Sequence, residues 1–266
     1  MKYCRFQLDG RSHHGLVETV AGAETITRLL LAPPDTATGD MEDLPSQRID
    51  HRLMSEAVLF APVSPSKIVC VGRNYREHAA ELGNEVPTEP LIFLKPPSSQ
   101  LAAGRNIRLP KLSQRVDFEG ELGVVIGRSC YQLGESEDVR PYILGYTCVN
   151  DVTARDLQKK DGQWTRGKGF DTFCPVGPLV TDEIDPWAGI GVETYVNGDM
   201  RQNGNTRDFI FALDVAIRYI SQVMTLVAGD LIATGTPSGV GPLVAGDVVE
   251  VRVEGVGTLR NPVVDE

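Results

Sequence analysis

Several short stretches of the chain carry acids, bases and small residues at spacings that chemistry could use. In Asp117-Phe118-Glu119-Gly120-Glu121-Leu122-Gly123-Val124-Val125-Ile126 the apolar tail predicts a strand, and strand residues two apart share a face. Asp117, Glu119 and Glu121 would then line up as three like charges, which repel. A solvated edge would turn them toward water, whereas a cation held by two or three of them would remove the repulsion. Ligation by oxygen alone favours Mg²⁺, Mn²⁺ or Ca²⁺ over zinc. Gly120 and Gly123 favour the cation, because glycine thins the opposite strand face and lets another backbone or a ligand approach.

A further acid, Asp151, follows the apolar run Tyr142 to Asn150. It could cap a helical turn over 152–158 or complete a carboxylate triad with Glu119 and Glu121, and periodicity does not choose between these roles. In Asn74-Tyr75-Arg76-Glu77-His78-Ala79-Ala80-Glu81 a short helix would place His78 and Glu81 on one face. The carboxylate could then hold one ring nitrogen while the other takes a proton, which makes a general base or an ordinary surface pair. Lys168 stands between Gly167 and Gly169, where its ammonium could approach a developing oxyanion or simply be solvated. In Thr234-Gly235-Thr236-Pro237-Ser238-Gly239-Val240-Gly241 the Thr236 hydroxyl and nearby N–H groups could grip a carboxylate, or form a plain turn. Arg73, Arg76, Lys95 and Arg105 could each meet a second substrate carboxylate, and nothing local ranks them.

The elements that must position these groups are mostly strands. Residues 1–31 alternate polar and apolar positions, and a Pro/Gly/Asp-rich connector runs from Ala32 to Ser46. We therefore expect a small β-rich unit over 1–60 and a catalytic domain over 61–266. Leu122 to Ile126, Ile143 to Val149, Leu231 to Thr234 and Val248 to Val253 read as strands, the last with Val249, Val251 and Val253 on its buried face. Asn197-Gly198 predicts a two-residue hairpin turn. One long helix is predicted from Ile210, Leu213, Ile217, Ile220 and Met224, with Asn205 or Thr206 as its N-cap and Gly229 just past its end. Its apolar stripe reads as core.

Taken in order, NYREHAAEL, FLKP, DFEGELGVVIG, GYTCVNDVTARDLQ, GKGFDTFCPVGP and TGTPSGVGP resemble the fumarylacetoacetate hydrolase family, chiefly its acylpyruvase-like and bacterial isomerase or decarboxylase members. The resemblance covers about residues 65–264. It implies an α+β fold, a mixed β-roll or β-sandwich with peripheral helices, and a homodimer. It further implies Mg²⁺ or Mn²⁺ on Glu119, Glu121 and Asp151, and a base dyad of His78 and Glu81. Lys168, Gln158 and Thr236 would contact substrate, with Arg73, Tyr75 and Gly235 around it. Many members carry serine where this chain has Gly167 and Gly169. The implied reaction is metal-dependent C–C hydrolysis of an acylpyruvate such as fumarylpyruvate through a stabilised pyruvate enolate. The same site could decarboxylate an oxaloacetate-like 2-oxo acid, or isomerise a 2-hydroxymuconate-type diacid. A non-catalytic small-molecule binder would have no need of the dyad.

Composition excludes other classes. The chain has 266 residues, 41% of them apolar, enough for a sizeable core, and a formal charge of −10 that repels phosphate backbones, so no nucleic-acid partner is expected. No apolar stretch approaches the roughly 20 residues needed to cross a bilayer, and the first twenty residues lack the apolar block of a secretory signal. These features predict a cytoplasmic protein without membrane contact. The five cysteines are scattered without a CxxC pair and read as buried thiols, and four histidines are too few for a histidine-rich metal centre. There is no GxxxxGK[ST] and no GxSxG, so neither a nucleotide loop nor a serine nucleophile elbow is indicated.

Overall fold

A computed structural model describes residues 1–34, 44–81, 83 and 85–266. Most of the expected connector, residues 35–43, lies outside the described residues. Among them the secondary structure is dominated by strands, with four α-helices, in keeping with the α+β expectation.

The largest sheet is built on β1 (Lys2–Leu8), β2 (Arg11–Val20), β3 (Ala23–Leu30), β4 (Ser46–Leu53), β5 (Ile68–Gly72), β6 (Leu91–Lys95), β7 (Gly120–Ile126), β8 (Ile143–Asn150), β9 (Cys174–Thr181) and β10 (Leu231–Ala233). Their hydrogen-bonded order is β4-β3-β2-β1-β9-β8-β7-β10-β5-β6. Strand β1 pairs with β9 through Lys2↔Thr181 and Tyr3↔Val180, so the N-terminal strands extend the same sheet across the boundary expected near residue 60. The helices are α1 (Arg76–Glu81), α2 (Arg155–Asp161), α3 (Thr165–Lys168) and α4 (Leu213–Val223).

Val248–Val253 pairs with Gly191–Val196 in a five-stranded sheet, and Val249, Val251 and Val253 are buried as the alternation predicts. Asn197 and Gly198 both adopt positive φ, at 54° and 87°, which is the tight hairpin turn that joins Gly191–Val196 to Asp199–Asn205. A single apolar cluster joins Leu122, Val124 and Ile126 of β7 to Val192, Val251 and Val253 of the five-stranded sheet and to Leu213, Ile217 and Ile220 of α4. The floor of the site is therefore one surface of a close-packed core.

Three expectations change. Helix α4 starts at Leu213, not near Ile210, because Asn205 caps a separate short 3-10 turn, Thr206–Asp208, by accepting from Arg207 N–H. Ile210 instead donates its N–H to Asn74 O at 2.8 Å, so tertiary hydrogen bonds override the helical period. The acidic strand is broken at Glu119: Val116–Phe118 joins a small three-stranded sheet, while β7 begins at Gly120. Gly120 and Gly123 do allow a close approach, but of packed side chains rather than a ligand. A Cβ on Gly120 would lie 2.0 Å from Thr194 Oγ1, and one on Gly123 2.6 Å from Val149 Cγ2.

Candidate active site

Strands β7 and β8 are antiparallel, with Gly120 opposite Asn150, so the residues just beyond that pair meet at one end of the ladder. Asn150 Oδ1 accepts from Glu119 N–H at 2.9 Å, and Asp151 N–H donates to Glu119 O at 2.8 Å. The ladder thereby fixes two acids side by side before any side chain is placed. Glu121 is the next residue into the ladder on β7, opposite Val149, and its Oε2 accepts from Gly235 N–H at 2.8 Å. Glu119, Glu121 and Asp151 each offer an oxygen within 4.8 Å of the others, and all three residues are buried.

Asp151 completes this cluster and caps nothing. Helix α2 begins four residues later with Ala154 at its N-cap and no side-chain cap. Asp117, the first acid of the expected row, is held by arginines: its oxygens accept from Arg115 Nε at 2.8 Å and Arg155 Nε at 3.0 Å.

Buried cations surround the acids. Lys168 Nζ lies 2.7 Å from Glu119 Oε2 and 2.5 Å from Asp151 Oδ2, and Lys95 Nζ lies 2.6 Å from Asp151 Oδ1 and 3.1 Å from Val152 O. Arg155 Nη2 donates to Glu119 Oε1 and its Nη1 to Gln158 Oε1, so one guanidinium ties Asp117, Glu119 and Gln158 together. Burial alone would push Glu119 up, but Lys168, Arg155 and His78 outweigh it and hold this carboxyl well below the usual carboxylate range. Glu121 behaves in the opposite way. Burial, together with the charges of Asp151 and Glu119, raises it well above that range.

Such a donor set fits a hard divalent cation. Three buried carboxylates converge on one point, burial and the charges of its two neighbours oppose ionisation of Glu121, and all available ligand atoms are oxygen.

Helix α1 brings His78 to the same cavity. Arg73 takes φ 55°, uncommon for a non-glycine residue, and turns the chain out of β5 so that α1 lies over the acids. His78 is buried, with Nδ1 3.4 Å from Glu81 Oε2, so Nε2 is the nitrogen left to exchange a proton. Burial lowers the His78 pKa against the opposing pull of Glu119 and Glu81, which favours the neutral, proton-accepting ring.

The cavity, of about 50 Å³, is lined by His78, the three acids, Arg155, Gln158, Lys168, Thr236 and Arg73, with Phe93 and Trp164 forming an aromatic wall. Arg73 lies over the Trp164 ring at 5.9 Å, Lys168 Nζ over Phe93 at 4.9 Å, and the two rings meet edge-on at 5.1 Å.

Not every expected contact group faces this space. Tyr75 packs edge-on against Phe209 and lines a separate groove, and Gly235 spends its N–H on Glu121. The Thr236 hydroxyl donates to Gly120 O at 2.8 Å and accepts from Gln202 Nε2 at 2.7 Å, so it braces β7. Lys95 is sealed against Asp151, and Arg76 opens onto the separate groove, so among the four basic candidates Arg73 lines the cavity. A Cβ on Gly167 would come within 2.9 Å of Gln158 N, and one on Gly169 within 2.5 Å of Thr165 O. The absence of serine therefore matches a tight α2–α3 contact at Gly167 and a close approach to the α3 backbone and Pro96 at Gly169.

Sequence reasoning missed Arg155, Trp164 and Phe93. Arg155 stands in the quoted TARD stretch, but only its reach to Asp117 and Glu119, 38 and 36 residues away, shows what it does.

Comparison with known proteins agrees with this geometry. The profile described as fumarylacetoacetate (FAA) hydrolase C-terminal matches residues 67–264. The chain is 43% identical to the oxaloacetate tautomerase of Bacillus subtilis, over 79% of this chain and 74% of that protein. The crystal structure of 2-hydroxyhepta-2,4-diene-1,7-dioate isomerase from Mycobacterium marinum superposes with a TM-score of 0.87 at 41% identity, covering 100% of this chain and 99% of that one. The fumarylpyruvate hydrolase of Pseudomonas aeruginosa, solved in complex with Mn²⁺ and pyruvate, superposes with a TM-score of 0.72 at 30% identity, covering 77% and 91% of the two chains. Motif order, site geometry and profile match together make this chain a member of the fumarylacetoacetate hydrolase family.

Proposed function

We propose that the protein is a Mg²⁺- or Mn²⁺-dependent hydrolase that cleaves the C–C bond of acylpyruvates, 2,4-dioxo acids of the fumarylpyruvate type. The observation that carries this reading is the His78–Glu81 pair in the same cavity as Glu119, Glu121 and Asp151. A divalent ion held by those three acids would supply Lewis acidity toward the oxygens of a 2-oxo carboxylate.

The chain's own residues do the rest. His78 Nε2 takes a proton from a water as its oxygen adds to the 4-oxo carbon, and Glu81 stabilises the imidazolium that results. Breaking the bond between carbons 3 and 4 releases the acid and leaves its electron pair on pyruvate as the enolate. The imidazolium proton then returns to carbon 3, so water and substrate become a carboxylic acid and pyruvate. Lys168 pairs with Glu119 and Asp151 and lines the cavity, where its ammonium would stabilise an oxyanion. Arg73, braced on Trp164, would meet a second carboxylate at the far end of the substrate.

A second reading, tautomerisation of an oxaloacetate-like diacid, is supported by the 43% identity to the oxaloacetate tautomerase of Bacillus subtilis. It needs the same base to move a proton between carbon 3 and the 2-oxo oxygen, with no water attack. Steady-state assays on acetylpyruvate, fumarylpyruvate and oxaloacetate, each with Mg²⁺, Mn²⁺ or EDTA, separate the two. Metal-dependent release of pyruvate supports the hydrolase. Turnover of oxaloacetate enol without acylpyruvate cleavage supports the tautomerase, and turnover indifferent to EDTA contradicts both.

A further inference from the structure

The Thr234–Gly241 motif does more than border the cavity. At its start, Gly235 N–H holds Glu121 and the Thr236 hydroxyl holds Gly120 O. Three residues beyond Thr236, Gly239 N–H donates to both oxygens of Glu81, at 3.1 and 3.2 Å, and Ser238 Oγ donates to Glu77 Oε2 at 3.2 Å. One loop therefore grips a carboxylate of the acid triad at one end and the carboxylate of the base dyad at the other.

Its middle is anchored as well. Gln202 is buried, its Oε1 accepts from Gly120 N–H at 2.9 Å, and its Nε2 donates to Thr236 Oγ1 and Pro237 O, both at 2.7 Å. Gly239 has φ +101°, and a Cβ there would lie 2.0 Å from Arg201 O, so only glycine lets the backbone reach Glu81 in this way.

Helix α1 needs such support. It has six residues, too few to be stable by its own hydrogen bonds. Within the dyad, the 3.4 Å contact is at the long end of hydrogen-bond range, and Glu81 has two single bonds along which to swing.

We propose that Ser238 and Gly239 form a positioning clamp: by fixing Glu77 and Glu81 they set the direction of the His78 ring relative to Glu119, Glu121 and Asp151. The catalytic meaning of the clamp rests on His78 being the base, whereas the clamp itself can be measured without substrate. Ser238 touches neither substrate nor acids in this scheme, so it is a positioning residue.

The test compares the full-length protein with Ser238→Ala, Ser238→Thr, Glu77→Gln and the Ser238→Ala/Glu77→Gln double variant. Amide hydrogen exchange over 76–81 and the ¹⁵N resonances of the His78 ring are the two readouts. Loss of one exposed, charge-assisted hydrogen bond should speed exchange about fivefold in Ser238→Ala, and Glu77→Gln, which keeps an oxygen acceptor and loses only its charge, should speed it by a smaller factor. The double variant should be no faster than Ser238→Ala, since both changes act on one contact, and Ser238→Thr should restore the original rate because it keeps the hydroxyl. The His78 Nδ1 resonance should shift in Ser238→Ala and return in Ser238→Thr. Exchange and resonance both unmoved in Ser238→Ala and Glu77→Gln would overturn the clamp.

His78→Ala is assayed beside them on acetylpyruvate and oxaloacetate. Turnover that survives this change removes the base assignment and leaves the clamp standing. Turnover lost, with exchange unmoved in Ser238→Ala, removes the clamp alone.

Discussion

The floor and the rim of the cavity are held in opposite ways. Glu119, Glu121 and Asp151 sit at the end of a strand ladder, fixed by backbone hydrogen bonds at 2.8–2.9 Å and by buried Lys95, Lys168 and Arg155. His78 sits on a six-residue helix; its 3.4 Å contact with Glu81 is part-buried, and the bonds from Gly239 to Glu81 and from Ser238 to Glu77, at 3.1–3.2 Å, are exposed. The acids are over-determined because charges taken out of water must be paired to be tolerated. His78 is lightly held, as suits the proton exchange proposed for it. Damage to the floor should therefore appear in metal binding and stability, and damage to the rim in turnover and local order with both of those unchanged.

The strongest way to break that contrast is to change a floor acid. Glu121→Gln or Asp151→Asn should weaken Mn²⁺ binding by at least about 100-fold in calorimetry and reduce turnover to background, since losing a ligand should cost no less than losing its support. A variant that binds Mn²⁺ normally would show that these acids are not the ligands. Next in size, His78→Ala should lower kcat by roughly 10²–10⁴ while leaving the Mn²⁺ affinity and the denaturation midpoint unchanged. A rim change that also unfolded the protein would erase the distinction between the regions. Arg155→Met should behave as a floor change, costing about 3–5 kcal/mol in denaturant unfolding, because Asp117 and Glu119 would both lose a buried partner.

Two smaller effects sharpen the picture of the rim. Arg73→Gln should raise KM for a diacid such as fumarylpyruvate by about 10- to 100-fold and leave acetylpyruvate unaffected, the range expected for a hydrogen bond to a charged group. Equal effects on both substrates would detach Arg73 from the far carboxylate. The pH profile should respond least. Burial lowers the His78 pKa, so the ring stays neutral to lower pH, and the acid limb of kcat/KM should fall below the ordinary histidine value of about 6.5. A limb above that value would mean that another group is the base.

Local pattern and long-range contact divide what could be read from the chain itself. The alternation of Val249, Val251 and Val253, the Asn197-Gly198 turn and the apolar runs of β7, β8 and β10 are local signals, and the structure follows them. The spacing of Glu119, Glu121 and the His78–Glu81 pair was legible for the same reason. The start of α4 was not, because Ile210 is claimed by Asn74, more than a hundred residues away. The break at Glu119 was equally hidden, since it depends on which strands pair with Val116–Phe118. Lys95, Arg155 and Thr236 look like solvated or turn residues until the fold brings their partners to them. Buried charge depends on contacts distant in sequence, and single-sequence patterns carry little of that information.

The account turns on the three acids gathering around one divalent ion. Anomalous diffraction from crystals soaked in Mn²⁺ measures this directly. We expect a single strong peak within coordination distance of an oxygen from each of Glu119, Glu121 and Asp151. No peak there, or one elsewhere in the molecule, would contradict the assignment of the site.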